Sequence, residues 1–141
     1  PVRDGELEIL PVRASHAPKE CALNFLLSGR DESRILIAND TGWWPEESWE
    51  LLRGRRLDVA VIEISMGIRM PYAEERGFHL GAKAAIAFRD RLAELGAVTA
   101  STQVAVTHIS HHVGATHEEL EAYFRPYGML VGYDGMLLGR A

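Results

Sequence analysis

Apolar positions in this chain gather into short runs bounded by Gly, Pro, Asp and Ser, and most runs have the length of strands. Glu6–Arg13 alternates loosely and predicts a first strand; Ala14–Glu20, which contains Pro18, predicts a loop. Cys21–Ser28 and Arg34–Asn39, joined through Gly29–Arg30–Asp31–Glu32–Ser33, predict a hairpin with a longer turn. Leu57–Ile64 is a strongly apolar strand bearing Glu63, and Gln103–Thr107 is another that ends at His108. Met129–Tyr133 and Met136–Leu138 predict a closing strand pair about the turn Asp134–Gly135.

Helical periodicity is confined to three places. Ala85, Phe88, Leu92 and Leu95 recur at helical spacing, so Gly81–Leu95 is predicted as a helix with Gly96 as its stop. Pro45 followed by Glu46 and Glu47 predicts a short helix through Leu52, closed by Arg53–Gly54–Arg55–Arg56. Thr116 and Glu119 fit a capping box opening a helix to about Phe124, with His117 at its start. Ser65–Phe78, with Gly67, Pro71 and Gly77, reads as irregular. Strands lead and helices alternate with strands in the second half, so the fold class is α/β or α+β.

Composition narrows the picture. The 141 residues, 47% of them hydrophobic, suffice for one core. Fifteen basic against 20 acidic residues give a net charge of −5, which argues against a protein that grips nucleic acid mainly through phosphates. The lone Cys21 excludes an internal disulfide, suggests a reducing compartment and is expected in the core. No apolar stretch reaches the roughly 18–20 residues that cross a bilayer, so a soluble, cytoplasmic protein with no membrane partner is expected. The chain begins at Pro1 with no initiator Met, and its N-terminus is read as internal.

Three predicted strands lead into metal-capable side chains: His16 after the first, Asp40 after Arg34–Asn39, and His108 after Gln103–Thr107. Imidazole and carboxylate suit zinc, manganese or iron, and catalytic sites recruit them from several elements. Spacing alone leaves other readings open. Asp40 in Asn39–Asp40–Thr41–Gly42 also suits a turn. His111 and His112 also suit a solvated loop, and Trp43, Trp44 and Trp49 suit either packing or a pocket wall.

The order of short motifs resembles the second half of a metallo-β-lactamase-fold hydrolase. The likeness is greatest to the branch of phosphoribosyl cyclic phosphodiesterases and tRNA 3′-processing endonucleases. Leu10–Pro18, ending His16–Ala17–Pro18, resembles the segment presenting the family's third-motif His. Arg34–Gly42 resembles the segment ending in the Asp that bridges two metals. Gly77–Phe78–His79–Leu80–Gly81 resembles the branch's His–small-residue segment, and Val106–Thr107–His108–Ile109–Ser110–His111 resembles its Thr-His-Ile/Phe-Ser signature. Val131–Met136 resembles the closing hairpin.

That resemblance implies two divalent ions, with His16 binding one, Asp40 bridging both and His108 binding the second. It implies a metal-bound hydroxide as nucleophile, and His79 as the group that contacts the phosphate or protonates the leaving oxygen, a task suited to imidazole. His79 also has a plain reading as a helix cap. His111 is assigned to substrate or to supporting a ligand; Asp58 and Glu63 flank a strand near the site, and Glu63 is assigned to a hydrogen bond with a metal-binding His. The family's His-x-His-x-Asp-His signature does not occur in this sequence.

The expectation is therefore a partial domain over residues 1–141: the C-terminal half of a four-layer αββα sandwich, a mixed sheet with helices on one face. It is expected to expose an apolar sheet face that the N-terminal half or a second copy covers. The expected activity is hydrolysis of a small phosphodiester rather than nucleic acid, with little activity in this chain alone. The alternatives are a non-catalytic fragment that dimerises through its sheet, or a hydrolase of thioesters or lactams on the same fold.

Overall fold

Seven strands pair in sequence order to make a single mixed sheet: β1 (Val2–Asp4), β2 (Leu7–Arg13), β3 (Leu23–Ser28), β4 (Arg34–Ala38), β5 (Val59–Glu63), β6 (Gln103–Thr107) and β7 (Met129–Val131). The computed structural model describes residues 1–17, 19–69, 78–111 and 114–139. β1 to β4 form an antiparallel meander, and β4 to β7 are parallel. The helices α1 (Glu46–Leu52), α2 (Ala82–Glu94) and α3 (His117–Phe124) lie in the connections that parallel pairing demands.

Register divides the sheet into two faces. Leu36, Ala60, Val104 and Met129 stand side by side, as do Ala38, Ile62, Val106 and Val131. All eight are buried in one cluster with Trp49 and Leu52 of α1, Phe88 and Leu92 of α2, and Leu120 and Phe124 of α3. The helices therefore cover this face, as expected.

The second face carries the row Phe25, Ile37, Val61, Ala105 and Leu130. Phe25 and Leu130 remain 39% and 42% exposed. The expected apolar face is present.

Two expectations are corrected. Met136–Leu138 is not a strand. The last ladder-like bond at this edge runs from Gly132 N to Val106 O, and the turn at Asp134–Gly135 then sends the chain back toward Gln103, whose Oε1 accepts from Gly139 N at 2.9 Å. Gln103 belongs to the second face, so the segment crosses that face instead of extending the sheet. Cys21 is exposed, because β3 begins only at Leu23. Asp58 and Glu63 flank β5 as expected, Asp58 at its N-terminal end, where its Oδ2 accepts from Arg34 N at 2.9 Å. β1 is an unforeseen addition: a three-residue strand folded onto β2 through Gly5, which holds φ +58°. Pro18, Pro71, Gly77 and His112, which the sequence reading named, lie outside the described residues.

Candidate metal centre

The topology brings the chemistry to one edge. β2 runs in the direction of β4 because two antiparallel steps separate them, and β5 and β6 continue parallel to β4. The carboxyl ends of all four strands thus share one rim, the usual location of sites in open α/β sheets. His16, Asp40, Glu63 and His108 emerge at or just beyond these ends, and His79 arrives from the segment that opens α2.

The supports of this rim are specific. Gly42 N donates to Ser15 O, which ties the loop after β2 to the turn after β4. The Ser48 hydroxyl donates to Arg13 O at 2.7 Å. Asn24, 2% exposed, donates to Asn39 O and accepts from Trp44 Nε1, each at 2.7 Å. Trp44 and Trp49 are 2% and 1% exposed and pack on Phe88 with ring centres 4.7 and 4.5 Å away. These tryptophans are core residues that brace the Asp40 turn.

Backbone strain is concentrated here. Asp40 holds φ +48° and His108 φ +54°, a region that side-chain-bearing residues seldom occupy. Such conformations cost on the order of 1–3 kcal/mol and cluster at functional sites.

Glu63 is the buried hub, with no exposed surface. A buried carboxylate is costly unless its lone pairs are filled. Its Oε1 accepts from Thr41 N, its Oε2 from Ser65 N at 3.2 Å, and both oxygens lie 3.1 Å from His79 Nδ1. Its partner is therefore His79, whereas His108 Nδ1 stands 4.0 Å away. His79 does not cap α2, whose N-cap is Gly81 with no side-chain cap bond.

Hydrogen-bond logic assigns the imidazole protons. His16 Nδ1 lies 3.0 Å from Phe78 O, an atom that only accepts, so Nδ1 is the donor. His79 Nδ1 donates to the Glu63 carboxylate. Ser65 Oγ donates to His108 O at 3.0 Å and lies 2.6 Å from His108 Nδ1. With its single proton given to the carbonyl, the hydroxyl must accept from Nδ1–H. With a cation in place each of the three imidazoles would keep its proton on Nδ1 and turn the Nε2 lone pair to the ion. Metal-binding histidines are oriented in this way by their outer partners. Without a cation, the 3.1 Å approach of His108 Nε2 to Asp40 Oδ1 requires a proton between them.

His108 Nε2 stands 3.1 Å from Asp40 Oδ1, and His79 Nδ1 stands 4.0 Å from the same oxygen. The His16 and His79 rings meet edge to face at 4.9 Å, and His79 and His108 stack at 5.9 Å. His16, Asp40 and His79 bring ligand atoms within 4.8 Å of one another, as do Glu63, His79 and His108. The nitrogen and carboxylate donors fit a divalent cation of the zinc, manganese or iron type.

The structure thus draws together His16, Asp40, His79, His108 and Glu63. His111 is exposed and belongs to neither donor group. Sequence reasoning missed Ser65 and the Glu63–His79 pair. The available signal was the placement of Glu63 and Ser65 two residues apart at the end of a buried strand.

No family model matches the chain, and no curated protein matches it. Solved structures do. A possible metal-dependent hydrolase from Veillonella parvula DSM 2008 superposes with a TM-score of 0.67 at 15% identity, covering 96% of this chain and 55% of that one. Unliganded yeast PDE1 gives 0.60 at 16% identity, covering 96% and 46%. Igni18, a metallo hydrolase from the archaeon Ignicoccus hospitalis KIN4/I, gives 0.58 at 17% identity, covering 96% and 52%. The chain has the fold of part of these three proteins and spans about half the length of each.

Proposed function

We propose that this chain carries the C-terminal part of the active site of a metal-dependent hydrolase, acting on a small phosphodiester. The observation that carries the reading is the convergence of His16, Asp40, His79 and His108 above the buried Glu63 at one sheet rim. The likeness to yeast PDE1 favours a phosphodiester over a thioester or lactam. The motif order favours the phosphoribosyl cyclic phosphodiesterase and tRNA 3′-processing endonuclease branch.

In this reading the residues would hold two divalent ions, zinc, manganese or iron. His16 would help to hold one, His108 the other, and Asp40 would be shared between them. When bound, such ions polarise the phosphoryl oxygens and activate water. His79, with Nδ1–H held by Glu63, would act as the imidazolium, giving its Nε2 proton to the leaving oxygen as water oxygen bonds to phosphorus and the phosphorus–oxygen bond breaks. The cation shell is partial in this chain, so full activity requires the remaining donors from an upstream half, which also covers the apolar second face.

A second arrangement makes His79 a ligand, because it belongs to both donor groups. His79→Ala separates the two. As proton donor, its loss leaves zinc content unchanged and slows hydrolysis, least for substrates with acidic leaving groups such as bis(p-nitrophenyl) phosphate. As ligand, its loss removes zinc. The reading as a whole fails if metal-loaded protein, with its upstream half, does not cleave phosphodiesters faster than thioesters or lactams.

A further inference from the structure

Asp40 and His108 follow strands that are not neighbours, because β5 lies between β4 and β6. Adjacent strands lie about 4.8 Å apart, so roughly 10 Å separates the two backbones and no ladder bond joins them directly. The side chains nevertheless meet, with His108 Nε2 standing 3.1 Å from Asp40 Oδ1. Each sits just beyond a strand end in the left-handed region, at φ +48° for Asp40 and +54° for His108. A small rotation at either turn would part the two donors, so their meeting requires that the turns be fixed relative to each other.

The residues immediately before the two donors supply that link. Thr107 Oγ1 donates to Asn39 Oδ1 at 3.0 Å, which joins the end of β6 to the turn after β4 across β5. Ser65 orients the His108 ring, whereas this bond acts on the backbone that carries the ring.

Both partners are held from behind. Asn39 O accepts from Asn24 Nδ2 at 2.7 Å, and Asn24 accepts in turn from Trp44 Nε1 at 2.7 Å. Asn39 is thus fixed at its carbonyl by β3 and a buried tryptophan, independently of its side chain. On the other side, a Cβ on Gly132 would stand 2.7 Å from Thr107 Cγ2, so the glycine leaves the space that the threonine methyl fills. A β-branched side chain is stiff at χ1. With its methyl seated against Gly132, the Thr107 hydroxyl is committed to Asn39.

We propose that the Asn39–Thr107 bond is a strut that sets the separation of Asp40 and His108, which makes Asn39 and Thr107 positioning residues for the cation held between them. The effect on metal binding rests on the reading of the rim as a cation site, whereas the separation itself is measured without metal.

Three variants of the 141-residue chain test this. Thr107→Val removes the hydroxyl and keeps the branched shape. Asn39→Ala removes the acceptor and keeps the carbonyl that Asn24 holds, and it carries the test alone if Thr107→Val does not fold. Thr107→Ser restores the hydroxyl. In the metal-free chain, nuclear Overhauser contacts between the His108 ring protons and the Asp40 β-protons report the separation. They should be present in the wild type and Thr107→Ser, and weaken severalfold in Thr107→Val and Asn39→Ala. Zinc affinity, read by competition with a chelating dye, should fall about tenfold in each of these two variants and no further in the double variant, because both side chains act through one bond. A merely structural role would lower the urea midpoint and leave the contacts and the zinc affinity unchanged. The proposal is overturned by that result, by losses that add in the double variant, or by a wild type without the contacts. If the wild type binds no zinc but the contacts still depend on Asn39 and Thr107, the cation reading fails and the strut stands.

Discussion

Deleting the Ser65 hydroxyl removes the acceptor for His108 Nδ1–H and the donor to the His108 carbonyl in one step. Ser65→Ala should lower zinc affinity by about tenfold, the low end for loss of a ligand's outer partner, while Ser65→Thr retains it. Competition with a chelating dye measures the affinity, and imidazole ¹⁵N shifts report whether His108 has lost its single tautomer. Unchanged values for both would show that Ser65 only packs. Glu63 makes a second residue-scale case. Glu63→Gln turns one acceptor into a donor facing Thr41 N, Ser65 N or His79 Nδ1, so urea unfolding should show a loss of about 1–3 kcal/mol. The site was legible in the sequence to the extent that strand ends could be matched to His16, Asp40 and His108. The pairing of Glu63 with His79 was not, because it depends on how the segment before α2 returns over β5. Nothing local in the sequence encodes that path.

The elements were readable wherever local chemistry sets their limits. Gly81 to Gly96 brackets α2, and Pro45 precedes α1. At α3, Glu119 N donates to Thr116 Oγ1 at 3.3 Å and Thr116 N donates to Glu119 Oε2 at 2.8 Å, the reciprocal capping box that the sequence suggested. Thr116→Ala should cost about 1 kcal/mol in thermal or urea unfolding. Glu118, in the same first turn, has its carboxyl held below the usual carboxylate range by its own backbone N–H and by the Thr116 side chain. A depressed carboxyl in the folded state stabilises it above the ordinary carboxylate pKa, and the contribution is lost as pH falls through the lower folded value. Thr116→Ala should therefore also flatten the acid side of the melting profile. The last segment failed as a strand because Asp134–Gly135 supplies a turn but leaves open whether the returning chain pairs in the sheet plane. Here it crosses the second face to reach Gln103. Cys21 failed as a core residue for a comparable reason: an apolar run shows that a strand is present, but it marks the first paired residue poorly.

At the scale of the whole molecule, one face of the sheet is closed by three helices and the other is largely apolar. Phe25, Leu27, Ile35, Ile37, Val59, Val61, Ala105 and Leu130 share that second face, with burial ranging from none exposed at Ala105 to 42% exposed at Leu130. A contiguous apolar surface of this kind marks an interface. The isolated chain should therefore self-associate with increasing concentration in analytical ultracentrifugation. Phe25→Lys should suppress the association without changing the circular dichroism, and a strictly monomeric wild-type chain would contradict this account. Among the described residues, no helix is long and apolar enough to cross a membrane. The α/β or α+β class was legible in the strand-length runs and three helical patterns, whereas the mixed sheet with helices on one face was anticipated from the family resemblance. The second face could be anticipated only from the family resemblance, since alternation in β3 to β6 is too weak to separate a covered face from an open one.

The central claim is that the sheet rim holds a divalent cation through the Nε2 atoms of its histidines. The most direct measurement is a zinc titration of the ¹⁵N-histidine-labelled chain, followed through the imidazole nitrogens. With zinc, Nε2 of His16 and His108 should move to the metal-bound range while their Nδ1–H protons persist, and His111 and His117 should stay unchanged. Zinc that shifts no histidine, or that shifts His111 and His117 as much as His16 and His108, would contradict the account.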